Sequence, residues 1–164
     1  MKRYWLLLLF FPIVAAANKP DGAAIASANK QATAAGMEVL AAGGNAFDAA
    51  VAVSAALSVV EPESAGLGGG GFFLLYRNDG NAVFVDAREK APLGATRDMF
   101  LKADGSADRD KSVNGGLAAG IPGLPAGLVL VSEKYGRVPL EVALKPAIAL
   151  AEKGFLWSEK NAAM

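Results

Sequence analysis

A run of glycines followed by two apolar stretches constrains this fold more than any other part of the sequence. The run occupies residues 66–71, and the apolar stretches at 72–77 and 82–87 flank a turn that contains Asp79-Gly80. Asp-Gly between two apolar runs indicates a hairpin, because both residues tolerate the positive φ angles of tight turns. The sequence therefore predicts a glycine-rich entry, a strand, a tight turn and a second strand that carries Arg88 at its tip.

Two helices are predicted before the glycine run. The first spans residues 30–42, is rich in alanine, and ends at Gly43 in the position where helices commonly stop. The second is capped by Asn45 and continues until Pro62 terminates it. Small apolar residues occupy nearly every face of this second helix, so we expect neighbours to bury it on several sides. A short strand is also predicted at residues 25–27.

Two more helices are predicted after the hairpin. The first begins near Pro125, with Leu128, Val131 and Tyr135 on one buried face. The second begins after Pro139, contains a proline that is expected to kink it, and ends at a glycine. Its apolar rows are formed by Leu140, Ala143, Leu144, Ala147, Ile148 and Ala151.

Two segments between the hairpin and these helices have no clear periodicity. Residues 102–111 are charged and rich in turn-forming residues, so we expect an exposed loop. Residues 112–127 are rich in glycine and proline but also apolar, which indicates irregular backbone packed against the rest of the domain. The order of helices and strands predicts an α+β fold with helices on an antiparallel sheet. Two strands do not form a stable sheet alone, so the sheet is expected to be incomplete in this chain.

The first 17 residues have the pattern of a secretory signal peptide. Lys2 and Arg3 precede an apolar run at 4–14, and small residues follow at 15–17. The run is shorter than the ~20 residues needed to span a bilayer. We therefore predict cleavage after Ala17, export to the periplasm or the extracellular space, and no stable membrane span.

The composition excludes several classes of function. The chain has no histidine and no cysteine, so no Ser-His-Asp triad, cysteine nucleophile or His/Cys zinc site is completed within it. Basic and acidic residues number 16 each, and the predicted signal peptide removes only basic ones. The net charge that remains is slightly negative. A nucleic-acid-binding protein would need clustered positive charge instead. We expect no cofactor and no metal.

The glycine run is not expected to bind a nucleotide. A dinucleotide fingerprint needs a strand, then glycines, then a helix, whereas in this chain a helix precedes the glycines and a strand follows them. The Gly-Lys-Ser/Thr of a P-loop is also missing. Two interpretations remain open: the glycines allow sharp turns and close backbone approach, or their backbone lines a pocket.

Arg88 is the candidate binding residue, and its neighbours allow two interpretations. Spacing alone favours a surface ion pair with Asp86 or Glu89, which contributes only about 0–1 kcal/mol. The functional interpretation is a carboxylate clamp, in which the guanidinium donates two parallel hydrogen bonds. A neighbouring acidic side chain would hold the guanidinium in place. A lysine ammonium group would not reproduce the two parallel hydrogen bonds.

Five motifs in the correct order resemble the γ-glutamyltranspeptidase family, whose members are also called glutathione hydrolases. The resemblance covers nearly all of the chain after about residue 23 and matches the amino-terminal part of the family's large subunit. The motifs occupy residues 43–52, 67–72, 86–92, 95–100 and 120–123.

The resemblance implies an N-terminal-nucleophile hydrolase with an αββα sandwich, of which this chain holds only a part. In that family a precursor cleaves itself, and the new N-terminal threonine of the small subunit attacks the γ-glutamyl amide with its own α-amine as the base. The γ-glutamyl group then passes to water or to an acceptor amino acid or peptide. The resemblance gives Arg88 the role of binding the α-carboxylate of a γ-glutamyl substrate such as glutathione.

The resemblance also implies that residues 18–164 are a truncated portion of the large subunit. The threonine nucleophile is expected outside this chain, so the chain is assigned no catalytic residue, and Thr33 and Thr96 match large-subunit positions without a catalytic role. The chain alone is therefore expected to be inactive, and the small subunit of the same precursor is its expected partner.

Two alternatives stay open at this point. One is a related enzyme, either a cephalosporin or glutaryl acylase or a γ-polyglutamate-cleaving enzyme, which would share the glycine-rich and arginine motifs in part. The other is a non-catalytic exported binding domain that folds alone.

Overall fold

The computed structural model of the protein describes residues 22–157 and residue 162, so the predicted signal peptide at 1–17 lies outside the described residues. The described part contains five α-helices, a short 3₁₀ helix at Gly116–Ala118 and two strands. In chain order these are α1 (Lys30–Ala41), α2 (Ala46–Val60), β1 (Gly71–Tyr76), β2 (Ala82–Ala87), α3 (Arg109–Val113), α4 (Leu124–Tyr135) and α5 (Leu140–Lys153). None of the described helices is long and apolar enough to cross a membrane.

Helix α2 lies at the centre of the helical layer. Its amino terminus has a capping box, in which the Asn45 side chain accepts from the backbone N–H of Asp48 while the Asp48 carboxylate accepts from the N–H of Asn45. Helices α1, α4 and α5 all pack against it. The prediction of a helix buried on several sides is therefore confirmed, because its small side chains allow the neighbouring helices to approach closely.

Strands β1 and β2 form the predicted antiparallel hairpin. Gly71 pairs with Ala87 at one end and Tyr76 with Ala82 at the other. Gly80 in the turn has a φ of 83°, in the left-handed region that favours glycine. The pKa of Asp79 is lowered, above all because its carboxylate accepts a hydrogen bond from the Asn81 backbone N–H.

The two faces of the hairpin have different surroundings. The inward face packs against α4, α2 and α5 in one apolar cluster, to which the strands contribute Phe73, Leu75, Val83 and Val85. A second cluster joins α1, α2 and α5. The outward face is apolar but exposed, and its large side chains are Phe72, Leu74, Tyr76 and Phe84. The described part of the chain thus has one helical layer and one two-stranded sheet whose second face is open.

Several local predictions were wrong. Residues 25–27 form no strand, and the exposed stretch at 102–111 runs into helix α3 instead of remaining a loop throughout. Within the segment at 112–127, residues 112–119 are mostly exposed instead of packed, whereas residues 120–123 contact the residues at the end of β2. In α5, Ile148 is 48% exposed and Ala151 is exposed, because the packed face of the helix is formed by the rows of Leu140 and Leu144 and of Ala143 and Ala147.

Candidate functional site

Arg88 directly follows the last residue of β2, as the sequence predicts. Side chains alternate across a strand, so Arg88 lies on the outward face of the sheet with Phe84 and Asp86. Its backbone N–H donates to the Asp86 carboxylate at 3.0 Å, which fixes the chain where the strand ends. The Arg88 side chain is 61% exposed. The Arg88 side chain is therefore open to solvent in the described part of the chain.

Glu89 holds the Arg88 guanidinium from one side. The Nε atom of Arg88 lies 3.2 Å from the Oε2 atom of Glu89. Because Glu89 contacts Nε, the end of the guanidinium that carries both Nη atoms is suited to meet a second carboxylate. The ion pair and the carboxylate clamp, which the sequence presents as alternatives, are thus compatible in one arrangement.

The glycine run provides the space for Glu89. A Cβ atom added to Gly70 would lie 2.6 Å from Glu89 Oε2 and 2.7 Å from both the Ala87 carbonyl oxygen and the Arg88 Cα atom. Gly120 lies shortly before α4, and a Cβ atom added to it would lie 3.1 Å from Glu89 Cβ. These contacts favour close backbone approach as the reason for the glycine at position 70.

The start of α4 is fixed to the same glycine run. The carbonyl oxygen of Gly69 accepts from the backbone N–H groups of Gly123 and Leu124, each at 3.1 Å. Lys90 and Ile121 form a reciprocal pair of backbone hydrogen bonds at 3.0 and 2.8 Å. The glycine run, the end of β2 and the start of α4 therefore form one hydrogen-bonded unit that carries Arg88.

A cleft of about 270 Å³ lies where β2 meets the start of α4. Its lining residues include the charged residues Asp86, Arg88 and Lys90 and the apolar residues Ile121, Pro122 and Leu130. Small-molecule sites combine an apolar lining with a few placed polar groups. The lining of this cleft combines the two kinds of residue in the same way, and the cleft is open to solvent on one side.

The two threonines lie in other surroundings. The Thr33 hydroxyl lies in the first turn of α1 and is 2.8 Å from the Ser27 hydroxyl. The Thr96 carbonyl oxygen accepts from the backbone N–H of Met99 in a turn after the hairpin. Among the described residues, no cluster of three or more acidic side chains is arranged to hold a metal ion.

Comparison with known proteins identifies the family. The model of the family described as Gamma-glutamyltranspeptidase matches residues 32–164. This chain belongs to the gamma-glutamyltranspeptidase family. Its members are enzymes, and a "Glutathione hydrolase proenzyme" of Escherichia coli K12 is 48% identical over 132 residues, which make up 80% of this chain.

Solved structures support the same assignment. A gamma-glutamyltranspeptidase of Helicobacter pylori superimposes with a TM-score of 0.83 at 44% identity over 89% of this chain and 42% of that chain. A cephalosporin acylase of Bacillus halodurans superimposes with a TM-score of 0.70 at 27% identity over 89% of this chain and 29% of that one. The predicted fold, a partial αββα sandwich of N-terminal-nucleophile hydrolases, is confirmed.

The chain spans about a quarter of the length of the curated relatives that it matches: 23% of the Escherichia coli proenzyme and 27% of a Pseudomonas one. This share agrees with a sheet that has only two strands in the described part.

Proposed function

We propose that this chain is the amino-terminal part of the large subunit of a precursor that cleaves γ-glutamyl amide bonds, with glutathione as the model donor. In this proposal residues 1–17 are a signal peptide, residues 18–164 belong to the large subunit, and the enzyme is exported. The observation that carries the proposal is the placement of Arg88 at the end of β2, where it is exposed and held at Nε by Glu89.

Arg88 would bind the α-carboxylate of the γ-glutamyl group. Both Nη atoms donate to the two carboxylate oxygens, and such charge-assisted, bidentate bonds are about twice as strong as neutral ones. Asp86 fixes the backbone of Arg88 and Glu89 contacts its Nε atom, so less conformational entropy is lost when the donor binds. The role of this chain is thus to orient the donor.

The covalent chemistry would take place at a threonine of the small subunit, outside this chain. Its hydroxyl oxygen attacks the γ-carbonyl carbon, its α-amine takes the hydroxyl proton, and the amide C–N bond breaks as that proton passes to the leaving amine. The resulting ester is then cleaved by water or by the amine of an acceptor amino acid or peptide. Residues 18–164 alone would bind weakly and would not turn over.

The test is Arg88→Lys in the full-length precursor that contains this sequence. Loss of the bidentate fork removes a charged hydrogen bond worth about 1.5–3 kcal/mol, so the KM for a γ-glutamyl anilide should rise roughly ten- to hundredfold. Arg77→Lys is the matched control, because Arg77 pairs with Asp79 at the turn end of the same hairpin. That control should keep its KM, and an Arg88→Lys enzyme with an unchanged KM would refute the role of Arg88.

An acylase is the second candidate, favoured by the likeness to the cephalosporin acylase structure. Paired glutaryl and γ-glutamyl anilides separate the two functions, since both carry the terminal carboxylate and they differ only in the α-amino group. The proposed function predicts that the γ-glutamyl anilide is the better substrate of the precursor's mature form, and preference for the glutaryl anilide would favour the acylase.

A further inference from the structure

We infer that Phe72 is a positioning residue for Arg88, and that its ring sets the plane in which the guanidinium meets the carboxylate of the donor. The inference rests on the proposed function and deepens it, because it names a second determinant of γ-glutamyl binding. Phe72 lies in the first half of β1, directly after the glycine run.

The register of the hairpin places Phe72 beside Arg88. Phe72 pairs with Asp86 across the two strands, and its diagonal neighbours on the same face are therefore Phe84 and Arg88. The rings of Phe72 and Phe84 are stacked, with centroids 5.4 Å apart and an interplanar angle of 30°. The Cζ atom of Arg88 lies 5.8 Å from the centroid of the Phe72 ring. Phe84, Phe72 and Arg88 thus form one continuous row.

The ring supplies a constraint that Glu89 does not. An ion pair through Nε holds one atom of the guanidinium, and the plane of the group remains free to rotate about that contact. A planar cation within ~6 Å of an aromatic face is attracted to it by the ring quadrupole. With Glu89 at Nε and Phe72 at the face, both the position and the plane of the fork are set before the donor arrives. Pre-organisation of this kind lowers the cost of binding.

Packing of the described core does not account for an aromatic ring at this position. Phe72 is 58% exposed, while its neighbours Phe73 and Leu75 supply the inward face of β1. The ring of Phe72 instead rests on Phe84, which is itself exposed. The described structure thus stacks the Phe72 ring on Phe84 and places it near the guanidinium of Arg88.

The experiment compares three variants of the full-length precursor by the kinetics of a γ-glutamyl anilide. Phe72→Leu keeps an apolar side chain but loses the ring, Phe72→Tyr keeps the ring, and Tyr76→Leu removes an aromatic ring farther along the same face of β1. At an exposed site a cation–π contact corresponds to roughly a two- to fivefold change in affinity. We expect that rise in KM for Phe72→Leu with kcat unchanged, and wild-type KM values for the other two.

A double-mutant cycle separates positioning from packing. If the ring acts through the guanidinium, Phe72→Leu has no further effect on kcat/KM in an Arg88→Gln background. If Leu prevents self-cleavage of the precursor, Phe72→Met provides the same comparison with a more flexible apolar side chain.

Two results would overturn the inference and leave the proposed function intact. One is a wild-type KM in Phe72→Leu while Arg88→Lys raises the KM. The other is an equal loss of kcat/KM for Phe72→Leu with and without Arg88, which would show a packing role. A wild-type precursor without γ-glutamyl activity would instead overturn the proposed function, and the inference with it.

Discussion

Substitution of Gly70 by alanine should displace the strand end that carries Arg88. The added Cβ atom would lie 2.7 Å from the Ala87 carbonyl oxygen and from the Arg88 Cα atom, whereas ordinary contacts begin at 3.4 Å. The Glu89 carboxylate, at 2.6 Å, can rotate away, but the other two atoms belong to the backbone of the strand end. Relief of the clash therefore requires a backbone shift of about 0.7 Å.

The shift should cost both stability and activity. Overpacking of this kind costs about 1–3 kcal/mol of the free energy of unfolding. Because a 1 Å displacement of a binding group can reduce catalysis by up to about a hundredfold, we expect about a tenfold loss in kcat/KM for a γ-glutamyl donor. Urea denaturation and steady-state kinetics of the full-length precursor measure the two effects.

Gly68→Ala provides the control from the same run of glycines. A Cβ atom at that position would have no atom within 4 Å beyond the adjacent residues of the chain, so this variant should keep the wild-type stability and kcat/KM. If Gly70→Ala and Gly68→Ala behave alike, the close approach of the glycine run to the end of β2 has no functional consequence, and the placement of Glu89 does not depend on the space left by Gly70.

Three further predictions concern stability and association. Gly127→Ala should lower the urea midpoint although alanine favours a helix by about 1 kcal/mol, because the new Cβ would lie 2.5 Å from Ala87 Cβ; a raised midpoint would contradict this packing. Asp48→Ala should lower the free energy of unfolding by about 3 kcal/mol, because the buried Asp48 carboxylate accepts from the backbone N–H groups of Asn45 and, at 2.9 Å, Arg137. A loss below about 1 kcal/mol in urea denaturation would contradict this prediction. Leu74→Lys should reduce self-association of isolated residues 18–164 in sedimentation experiments, because Leu74 is 75% exposed on the open apolar face. Unchanged self-association would contradict a role of this face in it.

The sequence predicts the features of this fold that depend on neighbouring residues. The hairpin follows from Asp79-Gly80 between apolar runs, and the end of α1 follows from Gly43, whose φ of 94° is in the left-handed region. Arg88 at the tip of β2 follows from the same local pattern. These predictions succeed because turn and cap preferences act within a few residues.

Features that depend on residues far apart in the sequence could not be predicted from local patterns. The hydrogen bonds from the start of α4 to Gly69 join positions more than 50 residues apart, and no local pattern indicates them. The exposure of Ile148 depends on which row of α5 meets the other helices. The contact of Phe72 with Arg88 depends on strand register, which assigns diagonal neighbours only after the pairing is known.

The proposed binding of the donor carboxylate by Arg88 can be tested directly in a crystal structure of the mature enzyme, produced from the full-length precursor and soaked with glutamate. We expect both Nη atoms of Arg88 to lie about 2.7–2.9 Å from the α-carboxylate oxygens, with Glu89 at Nε. A glutamate whose α-carboxylate is held by other residues, with Arg88 directed away from it, would contradict the proposed role of Arg88.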